Sequence, residues 1–163
     1  MFQSFTSELG ARTALWCQQR HTWIVLPHEA VIDGIHLATP NQFHPEQTLL
    51  AARHGKHVFV EKPIANTIDD GRKMIAACRE AGVVLMVGQH LLTGIRKLKE
   101  LVDDGTIGDP IQVEGNYSQN LGFSLTPESF RWRGDDTGCP AGSLMTMGIH
   151  HADVFNYLLG PIK

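Results

Sequence analysis

The chain has 163 residues, 42% of them apolar and 19% charged, with a formal net charge of -3. This is one ordinary domain's length with a core of useful size, no basic run for nucleic acid or anionic membrane, and no apolar run long enough to span a bilayer. Cys17, Cys78 and Cys139 are widely spaced with no C-x-x-C, and no basic-then-apolar leader precedes them, so a reducing cytoplasm is the expected compartment, without disulfides or zinc.

Residues 2–28 mix polarity without a clear period, and a helix over Glu8 to Gln19 is the expected element there. Order is expected from residue 31. Val31-Ile32-Asp33-Gly34-Ile35-His36-Leu37-Ala38 reads as a strand. Thr39-Pro40-Asn41 is a turn and helix-start signal, followed by a helix from about Phe43 to His54, stopped by Gly55.

Lys56-His57-Val58-Phe59-Val60-Glu61-Lys62-Pro63 follows. Its β-branched and aromatic centre suits a strand covered on both faces. Pro63 cannot extend a ladder and biases Lys62 toward an extended conformation. Two opposite charges therefore arrive at the carboxyl end of a buried strand, the edge where open α/β sheets bind ligands. The alternative is a solvated ion pair that merely ends the strand.

Thr67-Ile68-Asp69-Asp70 opens a helix with Met74, Ile75, Ala77 and Cys78 on one side, ending at Gly82. Val83 to Val87 is another buried strand, closed by Gly88, and Ile95 to Val102 is helical. Residues 31–105 thus read β-α-β-α-β-α, the pattern of a parallel sheet with right-handed crossovers. After the turn at 105–110, residues 111–118 alternate apolar and polar, as a strand with one covered face does. A polar, glycine-rich loop containing Trp132-Arg133 leads to a helix over Leu144 to Leu159. The expected domains are 1–108, a partial Rossmann-like α/β domain, and 109–163, the start of an α+β domain.

These residues carry a resemblance. Ala38-Thr39-Pro40-Asn41 with His44, the Gly55–Pro63 stretch, Met86-Val87-Gly88, Trp132-Arg133 and Gly148-Ile149-His150-His151-Ala152-Asp153 occur in the order seen in the glucose-fructose oxidoreductase / inositol dehydrogenase / rhizopine-catabolism (Gfo/Idh/MocA) family, which the chain resembles from Val31 onward. The resemblance implies a dinucleotide-binding Rossmann domain, an α+β domain on a large open sheet, and NAD- or NADP-dependent oxidation of a sugar, polyol or cyclic diol. It implies cofactor contacts from Thr39, Pro40, Asn41, His44, Glu61, Lys62, Trp132 and Arg133, and catalytic roles for Lys62 and His150, with Asp153 beside His150. It also implies a cis Lys62-Pro63 bond and a homo-oligomer in the complete protein.

The chemistry explains the residue types. Hydride transfer is a positioning task that also needs a hydroxyl proton removed near neutral pH. An imidazole does this unaltered, a lysine when its pKa is lowered, and an ammonium can stabilise a developing alkoxide. Three departures from the family pattern stand against these matches. No G-x-G-x-x-G occurs, Thr146 stands where an aspartate is often found four residues before the histidine, and Gln89-His90-Leu91-Leu92-Thr93-Gly94 is short and weakly basic. With the end at Lys163, these features lead us to expect a fragment, and they define the alternative of a non-catalytic remnant or interaction module. His28, His36, His44, His54 and His57 match no metal-ligand spacing, so no metal is expected.

Overall fold

The computed structural model describes residues 13–17, 22–24, 33–89, 92–118, 126 and 131–161. Residues 1–88 and 89–163 form two compact units. The division falls one helix before the boundary expected near residue 108.

The first unit is an α/β sheet in the order β2-β1-β3-β4-β5. Its strands are β1 (Thr13–Cys17), β2 (Thr22–Ile24), β3 (Gly34–Leu37), β4 (His57–Glu61) and β5 (Leu85–Gly88). β1, β3, β4 and β5 run parallel, and β2 is an antiparallel edge on β1. The helix expected over residues 8–19 is corrected by β1, which occupies its middle. Thr13-Ala14-Leu15-Trp16-Cys17 includes residues that favour a pleated surface, and pairing with β3 overrides the weak helical pattern. Residues 8–12 and 18–19 lie outside the described residues.

The parallel register explains which side chains meet. Ile35 pairs with Val58 and Leu37 with Val60, while Val58 pairs with Leu85 and Val60 with Val87. Because side chains alternate across a strand, these six share one face. They form the core with Ala51 of helix α1 (His44–Arg53) and Met74 of helix α2 (Ile68–Glu80). His36, Phe59, Glu61, Met86 and Gly88 occupy the other face.

The helix starts are specified locally. A 3-10 turn over Asn41–Phe43 leads into α1, whose first turn contains Pro45, a residue pre-set for that position. At α2 the Asp70 amide donates to Thr67 Oγ1 at 3.1 Å, and the Thr67 hydroxyl donates to the Asp70 carboxylate at 2.8 Å. Such reciprocal caps contribute about 1 kcal/mol.

The second unit contains α3 (Thr93–Asp103), a 3-10 turn at Arg131–Gly134, a π-helical turn at Leu144–Gly148 and α4 (Ile149–Leu159). The expected helix over 144–159 therefore begins as a wider turn. Gly148 accommodates it, since a Cβ there would stand 2.7 Å from Leu144 Cδ1. The strand expected over 111–118 does not form a ladder among the described residues, and Ile111 is 99% exposed. Period-two patterning selects a face but supplies no pairing partner. This segment instead lies along α4, with Gly115 against the His151 ring and the Tyr117 ring edge-on to it at 6.2 Å. A Cβ at position 115 would collide with His151 Cδ2. Among the described residues no helix is long and apolar enough to cross a membrane.

Candidate active site

β3 and β4 end side by side, and each is followed at once by a polar turn. Past β3, Thr39 Oγ1 donates to Gln47 Oε1 at 2.7 Å, and the Phe43 amide donates to Pro40 O at 3.0 Å. Asn41 is buried. Past β4 come Glu61, the last strand residue, then Lys62 and Pro63 joined by a cis peptide bond.

His44 joins these two turns. It is the first residue of α1 and is 0% exposed. Its Nδ1 lies 3.0 Å from Pro63 O and its Nε2 lies 3.0 Å from Thr39 O. Thr39, Pro40, Asn41, His44, Glu61 and Lys62 are thus brought together in one unit, with His44 behind the turns rather than on their surface. A neutral imidazole has one N–H to donate, so it satisfies one carbonyl at a time.

Burial lowers the His44 pKa below its ordinary value, against the raising effects of the Thr39, Pro63 and Ile64 carbonyls and the charge of Glu61. A depressed value in the fold means the unfolded chain takes up the proton first. The stability is then complete above the ordinary histidine value and is lost as pH falls through the lower folded one. Thermal melts between pH 7 and pH 5 should show a stability loss that the variant His44→Asn lacks, whatever the other histidines contribute.

Sequence reasoning did not find the partners of Glu61. His36 Nε2 lies 3.4 Å from Glu61 Oε1, and the His36 ring is tilted over Phe59 at 4.8 Å. The pair is partly exposed and contributes little stability, but it sets where the carboxylate lies. Gly88 lies opposite Glu61 in the ladder, and a Cβ there would stand 3.2 Å from Phe59 Cζ and in ordinary contact, 3.5 Å, with Glu61 Oε2. The strands themselves were visible in the sequence, whereas the register that sets 36, 59, 61 and 88 on one face was not.

The remaining candidates belong to the second unit. Arg133 Cζ sits 4.5 Å above the Trp132 ring in a cation–π contact. His150 is the second residue of α4 and is half-buried, with Asp153 one turn on. Thr146 Oγ1 donates to Gly142 O at 3.3 Å, so this hydroxyl serves the backbone of its own turn. Lys62 and His150 lie in different units.

Two family models match the chain. Residues 11–89 match an oxidoreductase family with an NAD-binding Rossmann fold, and residues 95–163 match the GFO/IDH/MocA C-terminal domain. A 1,5-anhydro-D-fructose reductase of Ensifer adhaerens is 36% identical over 130 residues, covering 78% of this chain and 38% of the relative. An NADP(+)-named D-xylose 1-dehydrogenase of Haloarcula marismortui is 31% identical, covering 78% of this chain and 36% of the relative. Among solved structures, the WlbA dehydrogenase from Bordetella pertussis in complex with NADH and UDP-GlcNAcA superposes with a TM-score of 0.66 at 29% identity, covering 83% of this chain and 39% of that one. The chain thus spans less than two fifths of the length of these two curated relatives.

Proposed function

Because this chain belongs to the Gfo/Idh/MocA oxidoreductase family, we propose that it is part of an NAD- or NADP-dependent enzyme acting on a sugar, polyol or cyclic diol. The observation that carries the reading is the pair of adjoining strand ends, where the β3 turn and the Glu61-Lys62-Pro63 turn are fastened through one buried histidine. Ligands of open α/β sheets bind at this edge.

The residues present fit the nicotinamide-ribose end of a dinucleotide. The polar residues of 39–41 and 61–62 follow two adjoining strands and converge at one sheet edge. No G-x-G-x-x-G occurs in the chain, so the pyrophosphate is assigned to none of its residues. When bound, the cofactor supplies the hydride acceptor or donor.

The protein's own part is positional and electrostatic. Thr39, Pro40 and Asn41 line one side, Glu61 orients the ribose, and the Lys62 ammonium stabilises the developing alkoxide. Trp132 and Arg133 contribute cofactor contacts from the second unit, and His150 takes or returns the hydroxyl proton. We assign the functional domains to residues 1–108 and 109–163, the complete protein to a homo-oligomer, and its compartment to the cytoplasm. The scattered cysteines, two of them free and buried, support that last assignment.

Titration of the chain with NADH or NADPH, followed by quenching of its tryptophans, tests the reading. Saturable quenching is the expected result. Its absence with both nucleotides favours a non-catalytic remnant or interaction module, for which the lack of the glycine fingerprint and the backbone-bonded Thr146 already speak.

A further inference from the structure

We propose that His44 is a positioning residue: one buried imidazole ties the turn after β3 to the turn after β4 and thereby sets the distance between Thr39-Pro40-Asn41 and Glu61-Lys62. The inference rests on the oxidoreductase reading for its consequence, but not for its geometry.

Three observations converge. First, the ring is fully buried, where any hydrocarbon of its size would fill the same space without a polar cost. A histidine is justified there only by the bonds it makes. Second, its two nitrogens face two different turns at the same 3.0 Å separation, and the turns are nineteen and five residues away in sequence. No backbone ladder continues through these turns, because both β3 and β4 have ended. Third, the ring springs from the first residue of α1, followed by a proline and, three residues on, by Gln47. Gln47 holds Thr39 as well, at 2.7 Å, so the helix start grips the β3 turn by two side chains. Through His44 it also grips the β4 turn. The spacing of the two turns is then inherited from a rigid helix end rather than left to the loops.

A single imidazole proton cannot serve both carbonyls at once. The tie is therefore adjustable: the proton on Nδ1 strengthens the grip on Pro63, and on Nε2 the grip on Thr39.

Two variants separate this role from simple packing. The amide of His44→Asn reaches the place of Nδ1 and keeps the Pro63 contact, whereas that of His44→Gln reaches the place of Nε2 and keeps the Thr39 contact. Amide hydrogen exchange is read at residues 41–42 and at 62, 64 and 65. The expected pattern is crossed: about tenfold faster exchange near residue 41 in His44→Asn, and about tenfold faster exchange near residue 64 in His44→Gln. Equal acceleration of both turns in both variants, or none in either, overturns the proposal. Should neither variant fold, imidazole NMR of the wild type decides the matter: a His44 ring N–H in slow exchange with water supports the tie, and one in fast exchange overturns it. NADH affinity is measured on the same samples. A crossed pattern in a protein that never binds the nucleotide keeps the tie and removes the oxidoreductase reading. A uniform pattern in a protein that does bind does the reverse.

Discussion

In the complete enzyme that the proposed function describes, replacing Lys62 with methionine is expected to lower turnover of a sugar or polyol by about 10²–10³-fold, the range lost with one group aimed at developing negative charge. Methionine keeps the aliphatic length and removes the ammonium. Loss of turnover with little change in NADH affinity assigns the ammonium to the reacting hydroxyl rather than to the ribose. Arginine at the same position keeps a charge that does not titrate in this range. Partial rescue by Lys62→Arg therefore points to alkoxide stabilisation, and none points to proton transfer. Steady-state rates at saturating cofactor measure all three proteins, and undiminished turnover in Lys62→Met would remove the lysine from the mechanism.

Leu37→Ala is expected to cost about 2–5 kcal/mol, because a fully buried side chain is replaced by a cavity in the parallel sheet. Leu37 faces the core between β1 and β4, in register with Val60, which is equally buried. Domains of this size have about 5–15 kcal/mol to lose, so the variant sits near the limit of folding. Met86 provides the contrast. It lies on β5 but on the opposite face, 59% exposed. Met86→Ala should change stability by less than about 1 kcal/mol. Urea midpoints for both variants measure the difference, and equal losses would contradict the unequal burial of the two faces.

The parts of the fold that were legible are those in which one local rule dominated. Val58-Phe59-Val60 ends in charge and proline, and the strand ends there. Thr67 with Asp70 is a cap in the sequence and a cap in the structure. β1 was not legible because its residues are justified by a partner twenty-one positions away, the pairing of Thr13 with Gly34 and Ala14 with Ile35. Residues 111–118 show the converse: a sound strand pattern without a described strand beside it. At the site, sequence order brought Thr39, Asn41, Glu61 and Lys62 to strand ends. It could not show that His44 would be swallowed whole, since a histidine in a helix's polar first turn, five residues before its first leucine, reads equally well as surface or interior. Nor could it align His36 with Glu61, which depends on ladder register alone.

Gly88 carries a consequence for anyone reshaping this sheet end. A methyl group there would stand 3.2 Å from Phe59 Cζ as well as near Glu61, close enough that the phenyl ring has to give way. Positions 59 and 88 are therefore a single design variable. A library that adds bulk at 88 gains by pairing it with smaller side chains at 59, because the two positions share one contact.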